Sequence, residues 1–305
     1  MHLALLHLTV LTGLATPLPP ADLQQAVDRI ARESVEKFAP GGLHADQLAI
    51  TVVDLGAPGG PLWSSYRGRE PFYPASVVKL FYLVAIHARM QAGEVRSSPE
   101  IERAMHDMIV DSSNDASQAV FQVITGTTSG PELEGAALRE FEERREWVNR
   151  YFAGLGYEGI NANQATYAEG PYLRDRQARG PHYEKNNRLH TDATARLLLA
   201  IVNGEAVSRE RSAAMLQLLH RDPFLKDNPD EQATMMSGQA LPPGSEYYAK
   251  AGWTDTTRHD AAYIRLPTGA RYIAVIFTRD NSKQTQIVPY IARRLVEYFT
   301  APALP

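Results

Sequence analysis

The chain has 305 residues, 31 Lys and Arg, 35 Asp and Glu, and no Cys, for a formal net charge of −4. With 44% hydrophobic and 22% charged residues it is neither a disordered, a collagen-like nor a coiled-coil chain, and its mild acidity argues against a nucleic-acid-binding surface. Zero Cys excludes disulfides, thiol catalysis and thiolate metal sites, and at roughly 150 residues per domain the length allows two domains or one large fold with two lobes.

Leu3 to Ala15 is nearly all apolar and runs into Thr16-Pro17-Leu18-Pro19-Pro20. That run is too short to span a membrane and suits the core of a secretory leader over 1–20, although Met1-His2 lacks the usual basic residue. Residues 21–38 space Leu23, Val27, Ile30, Val35 and Phe38 as an amphipathic helix. Residues 48–55 and 62–66 read as a strand pair around the Gly56–Pro61 turn. Pro74 opens an apolar helix to about Gln91. Helices are expected over 101–109 and 116–124, with the polar cluster Asp111 to Asp115 between them.

Residues 132–152 read as one long charged helix, whose run Glu142 to Arg145 suits a solvated face. Residues 161–188 form a long irregular stretch, a length usually reserved for function. Helices follow over 191–202 and 209–220, then strands over 247–252, 261–266 and 272–278, then a closing helix over 286–299. The order is strands, many helices, strands, helix. It predicts an α+β fold in which N- and C-terminal strands share one antiparallel sheet flanked by helices, beside an all-α lobe. The expected division is one unit over 21–305, with an α/β lobe from 21–75 and 245–305 and an α lobe from 76–244.

Three short motifs carry chemistry. In Ser76-Val77-Val78-Lys79 a Ser and a Lys three apart share one face, and a Lys of lowered pKa can deprotonate the hydroxyl. The similar Ser34-Val35-Glu36-Lys37 falls inside a surface helix. In Ser112-Ser113-Asn114 a Ser can relay a proton and the Asn can hold a Lys or an amide carbonyl, though both types also cap helices. In Lys250-Ala251-Gly252 the Gly admits close approach to a strand edge, and the next amide, of Trp253, can join that of Ser76 as an oxyanion hole. An edge-strand Lys can also serve only to discourage aggregation.

Taken in order, Ser-x-x-Lys, Ser-x-Asn and Lys-x-Gly form the signature of class A β-lactamases and penicillin-binding proteins. From about residue 21 onward the chain resembles that superfamily, and most closely the class A β-lactamase-like serine hydrolases. Tyr73-Pro74-Ala75-Ser76 and Met108-Ile109-Val110 add to the resemblance. It implies Ser76 as acylated nucleophile, Lys79 as its base, Ser112 as proton shuttle, Asn114 as ligand of the acyl amide, and Lys250 facing a substrate carboxylate. Ser113 stands where class A enzymes usually carry Asp, and Ala251 where Thr or Ser is usual, a loss for which Thr254, Thr256 or Arg258 could compensate. The first two motifs are closer together, and the last two farther apart, than is usual.

The family's deacylating Glu lies in a long loop between the second and third motifs. The matching stretch here offers Glu169, before Gly170-Pro171, and Glu184, beside Asn186-Asn187, and both stay candidates. The expected reaction is β-lactamase-type hydrolysis through an acyl-serine. A D,D-peptidase or esterase, or a cell-wall-binding protein without efficient turnover, is the alternative. No metal or organic cofactor is implied, since the nine His show no zinc spacing and no phosphate-binding Gly loop is present. The expected partner is a small β-lactam or peptidoglycan-like molecule, met by an exported monomer in the periplasm or outside the cell.

Overall fold

The computed structural model describes residues 21–301. The expected leader over 1–20 lies outside the described residues. Helix α1 (Ala21–Phe38) precedes the hairpin β1 (Leu48–Asp54) and β2 (Leu62–Tyr66). A 3-10 turn over Ala75–Val78 leads into α2 (Lys79–Gln91). Then come α3 (Pro99–Ile109), α4 (Asn114–Thr125), α5 (Gly135–Arg145), α6 (Trp147–Gly154), α7 (Leu173–Arg179), α8 (Thr191–Val202) and α9 (Arg209–Leu219). The chain closes with β3 (His220–Arg221), α10 (Glu231–Thr234), β4 (Glu246–Trp253), β5 (Arg258–Arg265), β6 (Arg271–Thr278) and α11 (Ile287–Thr300).

The six strands form one antiparallel sheet in the order β2-β1-β6-β5-β4-β3. β1 joins the two ends of the chain by pairing with β6, with Ile50 opposite Ile276. Side chains alternate across a strand, and β1 shows what that does here. Leu48, Ile50 and Val52 pack with α1 and α11, while Ala49 and Val53 face the core built on α2 and α8. Both faces are covered, so β1 and β6 are almost wholly buried and read in sequence as unbroken apolar runs.

Local chemistry sets the helix starts. Ser98 accepts from the Ile101 amide with Pro99 at the first position of α3, and Ser208 accepts from the Arg211 amide at α9. Ser34 is buried and donates to the Ile30 carbonyl at 2.7 Å, which makes it a helix residue of α1 rather than a nucleophile. Among the described residues no helix is long and apolar enough to cross a membrane.

The single helix expected over 132–152 is instead α5 and α6, which meet at Glu146. The charge run is not wholly solvated either. Arg145 is 2% exposed and pairs with Asp175 at 2.5 Å. It also donates to the Asn163 carbonyl, Gln164 and the Tyr167 hydroxyl, with Phe121 and Phe141 rings about its guanidinium. A buried charge persists only when paired and hydrogen-bonded, and here the pairing folds the 161–188 stretch onto α5. That stretch closes on itself: Asn161 and Arg188 exchange backbone hydrogen bonds of 2.7 and 2.8 Å.

Candidate active site

Ser76 lies in the 3-10 turn just ahead of α2, not inside the α-helix expected from Pro74 onward. Residues i and i+3 eclipse in a 3-10 turn, so Ser76 and Lys79 still share a side, and the Lys79 amide donates to the Ser76 carbonyl. The turn is entered through Ala75 at φ +46, a left-handed conformation that costs a non-Gly residue energy and marks functional turns. Two groups hold it. His259, fully buried, accepts from the Thr278 amide at Nδ1 and therefore donates from Nε2 to the Tyr73 carbonyl at 2.8 Å. Burial lowers this imidazole to about 4, so it stays neutral and in that tautomer at neutral pH. Gly252 of β4 presses against the turn from the other side: a Cβ there would lie 2.7 Å from the Ser76 nitrogen and 2.9 Å from that of Val77.

Lys79 is buried and, among the described residues, has no carboxylate partner. Its amine donates to the Ser112 carbonyl at 2.5 Å, to Ser112 Oγ at 3.3 Å, to the Ser113 carbonyl at 3.4 Å and to Asn114 Oδ1 at 2.9 Å. Burial lowers its pKa to about 7, which suits a general base working near neutrality. Ser112, at φ +56, turns both its carbonyl and its hydroxyl toward this amine. The helix-cap role belongs to Ser113 alone, whose hydroxyl accepts from the Ala116 amide at 3.1 Å. Ser112 and Asn114 are thus left to the cleft. Asn114 donates one amide hydrogen to the Tyr167 carbonyl at 2.9 Å, and its second remains for another acceptor.

Lys250 is fully buried on β4. It donates to Ser112 Oγ at 2.9 Å, to Gln232 Oε1 at 2.5 Å and to the Ala251 carbonyl at 2.7 Å. Burial first, then the charges of Lys79 and Arg221, push its pKa well below the ordinary value, against the pull of Asp230 and Asp260. Ala251 is buried and offers no hydroxyl. Thr254 and Thr256 bond each other, and Thr254 also meets Thr257. Arg258, paired with Trp253 across the sheet, keeps its Nε without a hydrogen-bond partner among the described residues. Ser76, Ser112, Asn114, Gln232 and Trp253 line one cleft of about 650 Å³, with Asp111, Asp230 and Glu231 at its wall.

Neither Glu169 nor Glu184 is brought to this cleft. Glu169 is exposed, accepts from the Tyr172 hydroxyl at 2.9 Å, and lines a separate groove with Gln118 and Ser129. Glu184 is exposed and accepts from the His182 amide at 3.0 Å. The loop meets the cleft through the Tyr167 carbonyl, while the Tyr167 hydroxyl turns away to Arg145 and Asp175. Sequence reasoning missed His259 and Gln232, which stand in no motif. The irregular Asp222 to Asp230 stretch ahead of Gln232, rich in Pro, Asp and Asn, was the available signal. His106, Asp107 and Asp111, the last of which lines the cleft, bring ligand-type atoms within 4.8 Å of one another; His106 and Asp111 are exposed and Asp107 is part-buried.

Residues 137–299, more than half of the chain, match the model of the beta-lactamase enzyme family. Ser76, Lys79, Ser112 and Asn114 precede the matched span, so they are evidence independent of it. No curated protein matches the chain. Among solved structures it is similar to the β-lactamase of Sphaerobacter thermophilus, with TM-score 0.64 and 20% identity over 90% of this chain and 98% of the other. It is similar to PBP-A, with TM-score 0.61 and 17% identity over 89% and 96%. It is also similar to a variant of the class A β-lactamase of the last common ancestor of Gram-negative bacteria, with TM-score 0.62 and 17% identity over 90% and 100%. The fold is therefore that of class A β-lactamases.

Proposed function

The chain belongs to the beta-lactamase enzyme family, and from that membership we propose that it is a serine acyl-transfer enzyme, acylated at Ser76 by β-lactam-like or peptide-like amides. The observation that carries this reading is one network: a buried Lys79 of pKa about 7, joined through Ser112 Oγ to Lys250, with Ser112 lining the same cleft as Ser76. Neutral Lys79 takes the Ser76 hydroxyl proton, and Ser76 Oγ adds to the amide carbonyl. The Ser76 and Trp253 amides face the developing oxyanion. Ser112 protonates the departing nitrogen, the C–N bond breaks, and the acyl group remains as a Ser76 ester. Asn114 holds the acyl amide, and Lys250 with Arg258 attracts the substrate carboxylate.

Hydrolysis of that ester needs a base for water. The expected candidates, Glu169 and Glu184, lie away from the cleft, and of the three carboxylates at its wall Asp230 is paired with Arg221 at 3.0 Å while Asp111 and Glu231 are exposed. This favours the second branch of the reading, a penicillin-binding or peptidase-like protein whose lactam ester persists, over a fast β-lactamase. Such substrates occur outside the cytoplasm, so we extend the proposal to an exported protein whose residues 1–20 act as the leader.

Incubation with a penicillin, followed by intact mass over time, tests both parts. A lasting adduct on the native protein, absent in Ser76→Ala and present in Ser34→Ala, is expected. Rapid consumption of the lactam with no lasting adduct would restore the β-lactamase branch. No adduct and no turnover of any lactam or ester would refute the proposal.

A further inference from the structure

Gln232 makes four contacts, and together they leave its amide one orientation. Its Oε1 accepts from Lys250 Nζ at 2.5 Å and from the Ala251 amide at 3.1 Å. Its Nε2 donates to the Val110 carbonyl at 2.9 Å and the Ile109 carbonyl at 3.3 Å. A flipped amide would set donors against two donors and an acceptor against two acceptors. Gln232 is 3% exposed. Arg221 braces the same two carbonyls and the Ala249 carbonyl, and pairs with Asp230, which caps the helix bearing Gln232. The result is a strut between β4, which carries Lys250, and the end of α3, which leads into Ser112.

The hydrogen inventory of Lys250 then becomes informative. Its ammonium has three hydrogens and three acceptors: Ser112 Oγ, Gln232 Oε1 and the Ala251 carbonyl. The last two can only accept, whereas the Ser112 hydroxyl can accept or donate. A neutral Lys250 therefore keeps its two hydrogens on Gln232 and Ala251 and presents its lone pair to Ser112. In both states the same position of the amine faces Ser112. The charged and titratable groups around Lys250 are Lys79 from α2, Arg221 from β3, Asp230 ahead of α10 and Asp260 from β5. None of the carboxylates bonds it, and the strong acceptor beside it is an uncharged amide.

We infer that Gln232 is a positioning residue for acyl transfer: it aims Lys250 at Ser112 and, being neutral, leaves the Lys250 proton free to move. The inference rests on the proposed role of Ser112 as proton donor. As the substrate C–N bond breaks, Ser112 gives its proton to the nitrogen and takes one from the Lys250 ammonium, which becomes an amine. Lys79, charged by the Ser76 proton, can return that proton to Lys250 through Ser112 Oγ, which both amines contact at 3.3 and 2.9 Å. The net change is one proton from Ser76 to the leaving nitrogen.

The test compares native protein with Gln232→Met and Gln232→Glu, by the acylation rate with a fluorescent penicillin from pH 5 to 10. The Lys250 titration is followed in parallel by the 13Cε shift. Gln232→Met leaves Lys250 and the Ala251 amide short of an acceptor. Acylation should fall about tenfold or more at neutral pH, and Lys250 should titrate lower. Gln232→Glu gives up the donation to the Val110 and Ile109 carbonyls, which Arg221 still serves, but keeps the acceptor for Lys250 and holds its proton, so Lys250 should titrate at least about one pH unit higher. The basic limb of the acylation profile should move with it. A Lys250 titration that is the same in all three proteins would overturn the inference. So would equal loss of rate in both variants with an unchanged pH profile, as a merely structural residue would produce. Failure of the native protein to acylate would instead refute the proposed function, while the Lys250 titration would still report on Gln232.

Discussion

Gly252→Ala tests whether the end of β4 is the wall against which the Ser76 turn is shaped. The added Cβ would sit 2.7 Å from the Ser76 nitrogen, 2.9 Å from the Val77 nitrogen and 3.0 Å from the Pro74 carbonyl oxygen. All three are backbone atoms, so no side chain can swing aside. Relief to an ordinary contact of 3.4 Å requires strand and turn to separate by about 0.7 Å. That exceeds the roughly 0.5 Å within which a catalytic group must be held. Overpacking of this kind costs about 1–3 kcal/mol, which in a chain of this size lowers Tm by a few degrees per kcal/mol. Loss of one oxyanion donor costs about 10²–10³ in rate. The expected result is a folded variant, a few degrees less stable, whose acylation by a fluorescent penicillin is slowed at least about a hundredfold. Acylation within threefold of native would refute the reasoning, because the turn would then not depend on contact with Gly252.

Four further outcomes are expected. Acylation should rise about tenfold per pH unit up to a plateau near the Lys79 value of about 7. Lys79→Arg, which keeps a charge but cannot deprotonate, should abolish it, and a rate that is flat from pH 5 to 8 contradicts this. Asp175→Asn removes the anion paired with buried Arg145 at 2.5 Å; a loss of about 3–5 kcal/mol is expected, and an unchanged Tm would exclude it. Asp260 is fully buried and raised to about 6, by burial against hydrogen bonds from Ser237 and Tyr247. Its protonated form is the one folding favours, so its stabilisation is complete below its ordinary value of 3.8 and is lost as pH rises through about 6. Asp260→Asn should therefore gain about 2 kcal/mol on native protein between pH 4 and 7.5. Denaturant titrations giving the same difference between the two proteins at both pH values would rule this out.

Much of the architecture was legible along the chain. The strand pair around the Gly56–Pro61 turn and the helix over 21–38 are written in local periodicity and turn residues, which short-range sterics enforce whatever the tertiary context. The three motifs were legible for the same reason: each is a short spacing that one turn or one strand end presents together. Contacts between distant segments were not legible. Arg145 looked solvated because a charge run shows no partner until Asp175, in another segment, is folded against it. The helix over 132–152 divides at Glu146, beside that pairing.

Glu169 and Glu184 were equivalent on paper. Only the path of the loop, with Tyr167 on Asn114 and on Arg145, turns both carboxylates outward. His259 and Gln232 belong to no spacing at all, and they matter because β5 and α10 bring them against the Tyr73 carbonyl and Lys250. The sequence by itself determined most of the elements and which Ser, Lys and Asn are the candidates for the chemistry. The tertiary structure decided which charges are buried and which amide or imidazole holds each of them, because desolvation and hydrogen-bond partnership exist only once distant segments meet.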